Sequence, residues 1–202
     1  MSLFRRLLTS RKKKQETPPQ QPQESKYLPE DKPPIDEEFT INFRKNGGKF
    51  LYCEDLNEVS DAFDNILLEN DWYETEVFCL DKNLTQRFDG YNLEFKTSGN
   101  NCSFMLTTCE SLVADKGSIL LSSNQLKGRK LMELPTNIVI YATTSQIVGN
   151  ISDGMQIIKQ QSKNGIPVNI TTIRHFGEMK TDDFMMYGNS NKNLYLLLME
   201  DF

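Results

Sequence analysis

Three polar clusters in this chain follow strand-like apolar runs, and each holds residue types suited to gripping a small charged ligand. Thr107, Thr108 and Glu110 follow SFMLT (103–107). Thr143, Thr144 and Ser145 follow NIVIYA (137–142), and Thr171, Thr172 and Arg174 close VNITTI (168–173). Hydroxyls both donate and accept hydrogen bonds, a carboxylate accepts them, and a guanidinium meets a carboxylate or phosphate with two parallel N–H groups. A fourth stretch, ADKGSILL (114–121), sets Asp115, Lys116, Gly117 and Ser118 at the mouth of an apolar strand, where glycine permits close backbone approach. In open parallel sheets, ligands sit beyond the carboxyl ends of the strands, beside free N–H groups. The ligand-binding candidates are therefore Thr108, Glu110, Asp115, Gly117, Ser118, Thr143, Thr144 and Arg174.

Each candidate also has a structural reading. Thr143 or Thr144 suits an N-cap, where hydroxyls are favoured whatever the function. Asp115 suits the shaping of its own turn. Arg174 has surface acids in reach along the sequence, Glu178 and Asp182, and His175 has no visible partner to make it a general base.

Metal and redox chemistry find little support. Cys53, Cys79, Cys102 and Cys109 include no C-x-x-C pair, and the single histidine has no second ligand beside it. Neither a zinc nor an iron–sulfur site is expected from that supply, and no cofactor or metal is expected. Cys53 and Cys79 lie inside the apolar runs YCE and VFCL and read as small core residues.

The elements that must position these groups alternate in type. KFLYC (49–53) reads as a strand after Gly47-Gly48. Asp55 with Glu58 resembles a capping box, and Leu56, Val59, Phe63, Ile66 and Leu67 give a helical stripe to about Asn70. EVFCL (76–80) and NLEF (92–95) read as strands, with a helical turn at NLTQRF between them. SFMLT and GSILLSS (117–123) are strands separated by the short segment TCESLVADK. After NIVIYA, Thr143 and Gln146 suggest a capping box, opening a helix with Ile147, Val148, Ile151, Met155 and Ile158 on one face and Gly154 as its weak point. A short helix is expected from Glu178 through Met186. LYLLLM (194–199) is continuously apolar, as a strand covered on both faces must be. This alternation predicts an α/β fold with a mostly parallel sheet.

Composition bounds the rest. The 202 residues suit one domain plus a tail. Six of the eight prolines lie between Pro18 and Pro34, so residues 1–38 read as a disordered basic, then Pro/Gln/Glu-rich tail, and 39–202 as the folded domain. Residues 1–14 carry six bases and no acid. The chain holds 23 bases and 28 acids, so the remainder keeps 17 bases against the same 28 acids, a formal −11. That balance excludes a nucleic-acid-binding domain, which needs clustered Lys and Arg. Leu3, Phe4, Leu7 and Leu8 recur at helical spacing beside Arg5 and Arg6, so the tip offers weak contact with an anionic membrane surface. It is too short for a signal peptide or a span, and a cytoplasmic protein with reduced thiols is expected.

Taken in order, ADKGSILL, KLMELP, NIVIYATTSQIV, ITTIR and YGNSNKNLYLLL resemble the C-terminal pattern of the LUD-domain family. The resemblance runs from about Ser103 to Phe202 and continues more loosely back to Phe39. The family's members tend to carry an acid and then Thr-Gly-Ser/Thr, where this chain has Asp115-Lys116-Gly117-Ser118. The resemblance implies a three-layer α/β/α fold like that of NagB, ribose-5-phosphate isomerase (RpiA) and the CoA transferases. It also implies an accessory part in bacterial L-lactate utilisation, the oxidation of lactate to pyruvate, as in the LutC (YkgG) branch of the family. The implied partners are LutA-like and LutB-like iron–sulfur subunits, with a small anionic ligand bound by this chain. The alternative is a stand-alone enzyme of the isomerase and CoA-transferase class acting on a phosphorylated or carboxylated metabolite, a reading that rests on fold analogy.

Overall fold

The computed structural model describes residues 33–98, 101–162, 165–177 and 192–201. The basic tip, the greater part of the proline-rich tail and the helix expected over 178–186 lie outside the described residues.

Among the described residues, ten strands divide between two sheets. Six form a wholly parallel sheet in the order β1-β10-β7-β4-β2-β3: β1 (Lys49–Cys53), β10 (Asn193–Met199), β7 (Asn137–Thr143), β4 (Phe104–Thr107), β2 (Glu76–Phe78) and β3 (Glu94–Lys96). Four short strands form a second sheet in the order β8-β5-β6-β9: β8 (Ile147–Val148), β5 (Ser111–Val113), β6 (Ser118–Leu121) and β9 (Thr171–Ile173). The parallel sheet with flanking helices is the α/β fold the sequence predicts. The second sheet is not legible there, and it covers part of one flank.

β10 shows why both faces of the main sheet must be covered. Its side chains alternate, and Leu194, Leu196 and Leu198 enter one apolar cluster while Tyr195 and Leu197 enter the other. On the first face lie Phe39 and Phe43 of helix α1 (Ile35–Lys45), with Leu112, Ile119 and Leu121 of the second sheet. On the other face lie Val59, Phe63, Ile66 and Leu67 of α2 (Leu56–Asn70), and Leu84 of α3 (Lys82–Arg87). Each such Leu, Ile or Phe contributes on the order of 1.5–3 kcal/mol by leaving water. The outer face of the second sheet packs on helix α5 (Ile151–Gln161) through Val113, Leu120, Val148 and Ile158. Gly154 allows that close approach, because a Cβ there would lie 3.1 Å from Leu120 Cδ2.

Local signals explain several boundaries. Asp55 caps α2 by accepting from the backbone N–H of Asn57 (2.7 Å) and Glu58 (3.0 Å). The return bond from Glu58 goes to the Glu54 N–H at 2.7 Å rather than to Asp55, so the box is shifted by one residue. Two element readings are corrected. Ile147 and Val148 form a strand rather than the start of a helix, because Asn150 is the cap, accepting from Asp153 N at 3.1 Å. Residues 35–38, read as tail, begin α1, whose first turn carries Asp36, Glu37 and Glu38 where acids suit the helix N-terminus.

Candidate functional site

Adjacent strands β2 and β4 send the chain to opposite faces of the main sheet. After β2 it forms α3 on the α2 side, and after β4 it forms β5 and β6 on the other. Such divergence opens a crevice beyond the carboxyl ends. Polar groups line this end of β1, β10, β7 and β4, four neighbouring strands.

The row begins at Tyr52 on β1, whose hydroxyl donates to the Glu200 carboxylate just past β10. Beside it, Asp201 accepts from Thr144 Oγ1 (2.8 Å), Ser145 N (2.9 Å) and Ser145 Oγ (2.5 Å). Thr143 Oγ1 lies 3.0 Å from Ser145 Oγ. The turn that holds these hydroxyls is closed by Gln146, whose side-chain oxygen accepts from Thr143 N at 2.9 Å, the capping interaction legible in the sequence. The Gln146 amide nitrogen donates to the Cys109 carbonyl at 2.7 Å, tying the turn after β7 to the one after β4. Arg87 lies over the Tyr141 ring at 5.0 Å and puts a cation on the α3 side of the same end.

The electrostatics follow from these bonds. Burial alone would raise the Asp201 carboxyl, but hydrogen bonds from Ser145, Thr144 and Thr143 outweigh it and lower its pKa to about 2. Asp201 is thus an ionised acceptor that orients two hydroxyls, not a proton donor. The four thiols are the opposite case. Burial pushes Cys53 and Cys79 up to about 11, and raises Cys102 and the fully enclosed Cys109 as well. Thiols so disfavoured as thiolates are poor nucleophiles and poor metal ligands. Among the described residues, no three His, Cys, Asp or Glu gather as a metal site.

Seven of the eight sequence candidates divide between the two ends of the sheet, and Glu110 stands apart from both. Thr108, Thr143 and Thr144 lie at the carboxyl end. Glu110 is close in sequence, but its side chain turns to the second sheet, accepting from Ser122 Oγ (2.6 Å) and Asn124 Nδ2 (2.9 Å). Asp115, Gly117 and Ser118 belong to the turn of the antiparallel β5–β6 hairpin, which sits against the end of α1 that leads into β1. There Asn42 Nδ2 donates to Ala114 O at 2.8 Å, and Asn46 Nδ2 donates to Lys116 O (2.7 Å) and Gly117 O (3.0 Å). The ADKG carbonyls therefore hold a helix. Ser118 Oγ is buried and makes no hydrogen bond. Arg174 is exposed, two residues before Phe176, which bridges Lys192 at the start of β10 and donates its N–H to Asn46 O at 2.9 Å. Arg174 thus stands toward the amino ends of the strands, away from the polar row.

Tyr52, Gln146, Glu200 and Asp201 were not among the sequence candidates. Gln146 had a local signal in its three-residue spacing from Thr143. Glu200 and Asp201 had a weaker one, two acids directly after an apolar strand.

These features define an α/β protein built on an open parallel sheet, with its polar groups gathered beyond the carboxyl ends of four strands. A similar fold is seen in the crystal structure of a DUF162 family protein from Deinococcus radiodurans. The two share 14% identity over 82% of this chain and 96% of that one, with a TM-score of 0.59, a likeness of fold alone. No curated protein matches the sequence. The LUD domain profile matches residues 37–199, and the chain belongs to the LUD-domain family. No helix among the described residues is long and apolar enough to cross a membrane.

Proposed function

We propose that this chain is a LutC-like accessory protein of L-lactate utilisation, acting in the assembly or regulation of the machinery that oxidises lactate to pyruvate. The family match over residues 37–199 carries this reading. The character of the side chains supports it: the thiols are held protonated by burial, and the polar row offers hydroxyls and fixed carboxylates for recognition. Electron transfer would fall to LutA-like and LutB-like iron–sulfur partners. The reading carries with it a cytoplasmic location. A small carboxylate would meet Thr108, Thr143 and Thr144 at the carboxyl end, with Arg87 as the cation on that side, in place of Arg174.

Affinity purification of the tagged full chain from lactate-grown cells of its source tests the reading. Iron–sulfur subunits should co-purify in fixed proportion, and iron in the eluate should follow them. A chain recovered alone under conditions that preserve such complexes would overturn it.

A further inference from the structure

Helix α5 grips the outer face of the second sheet far less firmly than α2 grips the main sheet. On α5 only Ile158 and the side-chain-free Gly154 are buried, with Ile157 partly covered. By contrast α2 buries Val59, Ala62, Phe63, Ile66 and Leu67. Ile151 and Met155, one turn apart on α5, are exposed. Helices in proteins are held chiefly by packing of an apolar face, so α5 has the weaker hold. Gly154 weakens it from within, because a glycine in a helix interior gives up the most backbone freedom.

The interface beneath α5 also holds two polar groups without partners. Across the β5–β6 hairpin Ser111 pairs with Leu120, and Ser118 pairs with Val113. Directly opposed residues share a face, so both serines point with Leu120 and Val113 toward α5. Both side chains are buried, and neither Oγ has a hydrogen-bond partner among the described residues. Ser111 Oγ faces the helix at Gly154, where an added Cβ would lie 3.4 Å from it. A buried hydroxyl left unpaired keeps its desolvation cost, and water supplies the missing bonds once the helix moves away.

The chain on either side of α5 is fixed. Ahead of it, Ala114 N donates to Val148 O (2.9 Å) and Asp115 N donates to Gly149 O (3.1 Å). Beyond it, Ser123 N at the start of helix α4 (Ser123–Leu126) donates to Val168 O at 2.9 Å, and Val168 N donates to Ser123 Oγ at 3.1 Å. The inner face of the second sheet stays packed on the main sheet through Leu112, Ile119 and Leu121. None of these contacts involves α5.

We propose that α5 is a tethered lid, which opens as a unit while both sheets stay formed. Opening uncovers the outer face of the second sheet, with the Ser111 and Ser118 hydroxyls beside Val113, Leu120 and Val148. Such local openings draw on the least stable part of a fold. The inference is independent of the lactate-utilisation reading and separate from the carboxyl-end row.

Native-state amide hydrogen exchange on the full chain tests it. After correction for intrinsic rates, the amides of 155–161 should share one level of protection. That level should lie on the order of a hundredfold or more below the level of 60–70 in α2. Combining Ser111→Ala with Ser118→Ala removes both unpaired hydroxyls at nearly constant shape. Closing should then be favoured, and exchange in α5 should slow by about tenfold. Protection of α5 equal to that of α2 in the wild type would overturn the proposal. So would α5 exchange that is unchanged or faster in the double variant.

Discussion

The Gln146 side chain bridges two strand ends, donating to the Cys109 carbonyl at 2.7 Å while its oxygen accepts from Thr143 N at 2.9 Å. Gln146→Ala strips a donor from the carbonyl of buried Cys109 and an acceptor from Thr143 at once. The expected loss is about 1–3 kcal/mol in urea unfolding, because a buried group left unpaired keeps its desolvation cost. Gln146→Glu keeps the acceptor but turns a carboxylate toward the carbonyl, and should not rescue the loss at neutral pH. A change below about 0.5 kcal/mol in the alanine variant, the level of ordinary surface substitutions, would mean that the bridge is not formed.

Asp201 gives a pH signature. Its folded pKa of about 2 lies below the ordinary carboxylate value of about 4, so its contribution to stability is complete above that value. The contribution is lost as pH falls from about 4 toward 2. Asp201→Asn should therefore be less stable than wild type at pH 7, and the gap should close by about pH 2. Urea midpoints of both proteins at pH 7, 4 and 2.5 measure this. A gap that stays constant across the series would show that the carboxylate is not held by Ser145 and Thr144.

Gly117 sits at φ +56°, and a Cβ there would lie 2.2 Å from Asn42 C and 2.3 Å from Phe43 N. The left-handed backbone alone costs an ordinary residue about 1–2 kcal/mol, and a backbone clash adds to it. Gly117→Ala should be strongly destabilised or insoluble. Gly90→Ala, with nothing within 4 Å of the added carbon, should stay within about 0.5 kcal/mol of wild type. Comparable melting temperatures for the two variants would contradict the docking of the hairpin turn on α1.

What was legible in the sequence was local. The α2 stripe and its Asp55 cap could be read because both depend on residues a few positions apart. The continuous run of β10 was legible because burial on both faces removes alternation. The second sheet was not, since β5 has three residues beside the polar TCE and β8 has two, and Ile147 and Val148 share helical spacing with Ile151 and Met155. Helix α1 hid behind Pro33-Pro34, although Phe39 and Phe43 are among the most buried side chains. The polar row was half visible: Thr143 and Thr144 were readable from their strand, but their partner Asp201 lies 57 residues from Thr144. Placing Arg174 at the other end required the strand order, which spacing along the chain does not encode.

The central claim, a part in L-lactate utilisation, is tested most directly by growth. A strain of the source lacking this chain should fail to grow on L-lactate as sole carbon source, grow normally on pyruvate, and recover on L-lactate when the wild-type chain is restored. Undiminished growth of the deletion strain on L-lactate, with unchanged lactate consumption, would contradict the account.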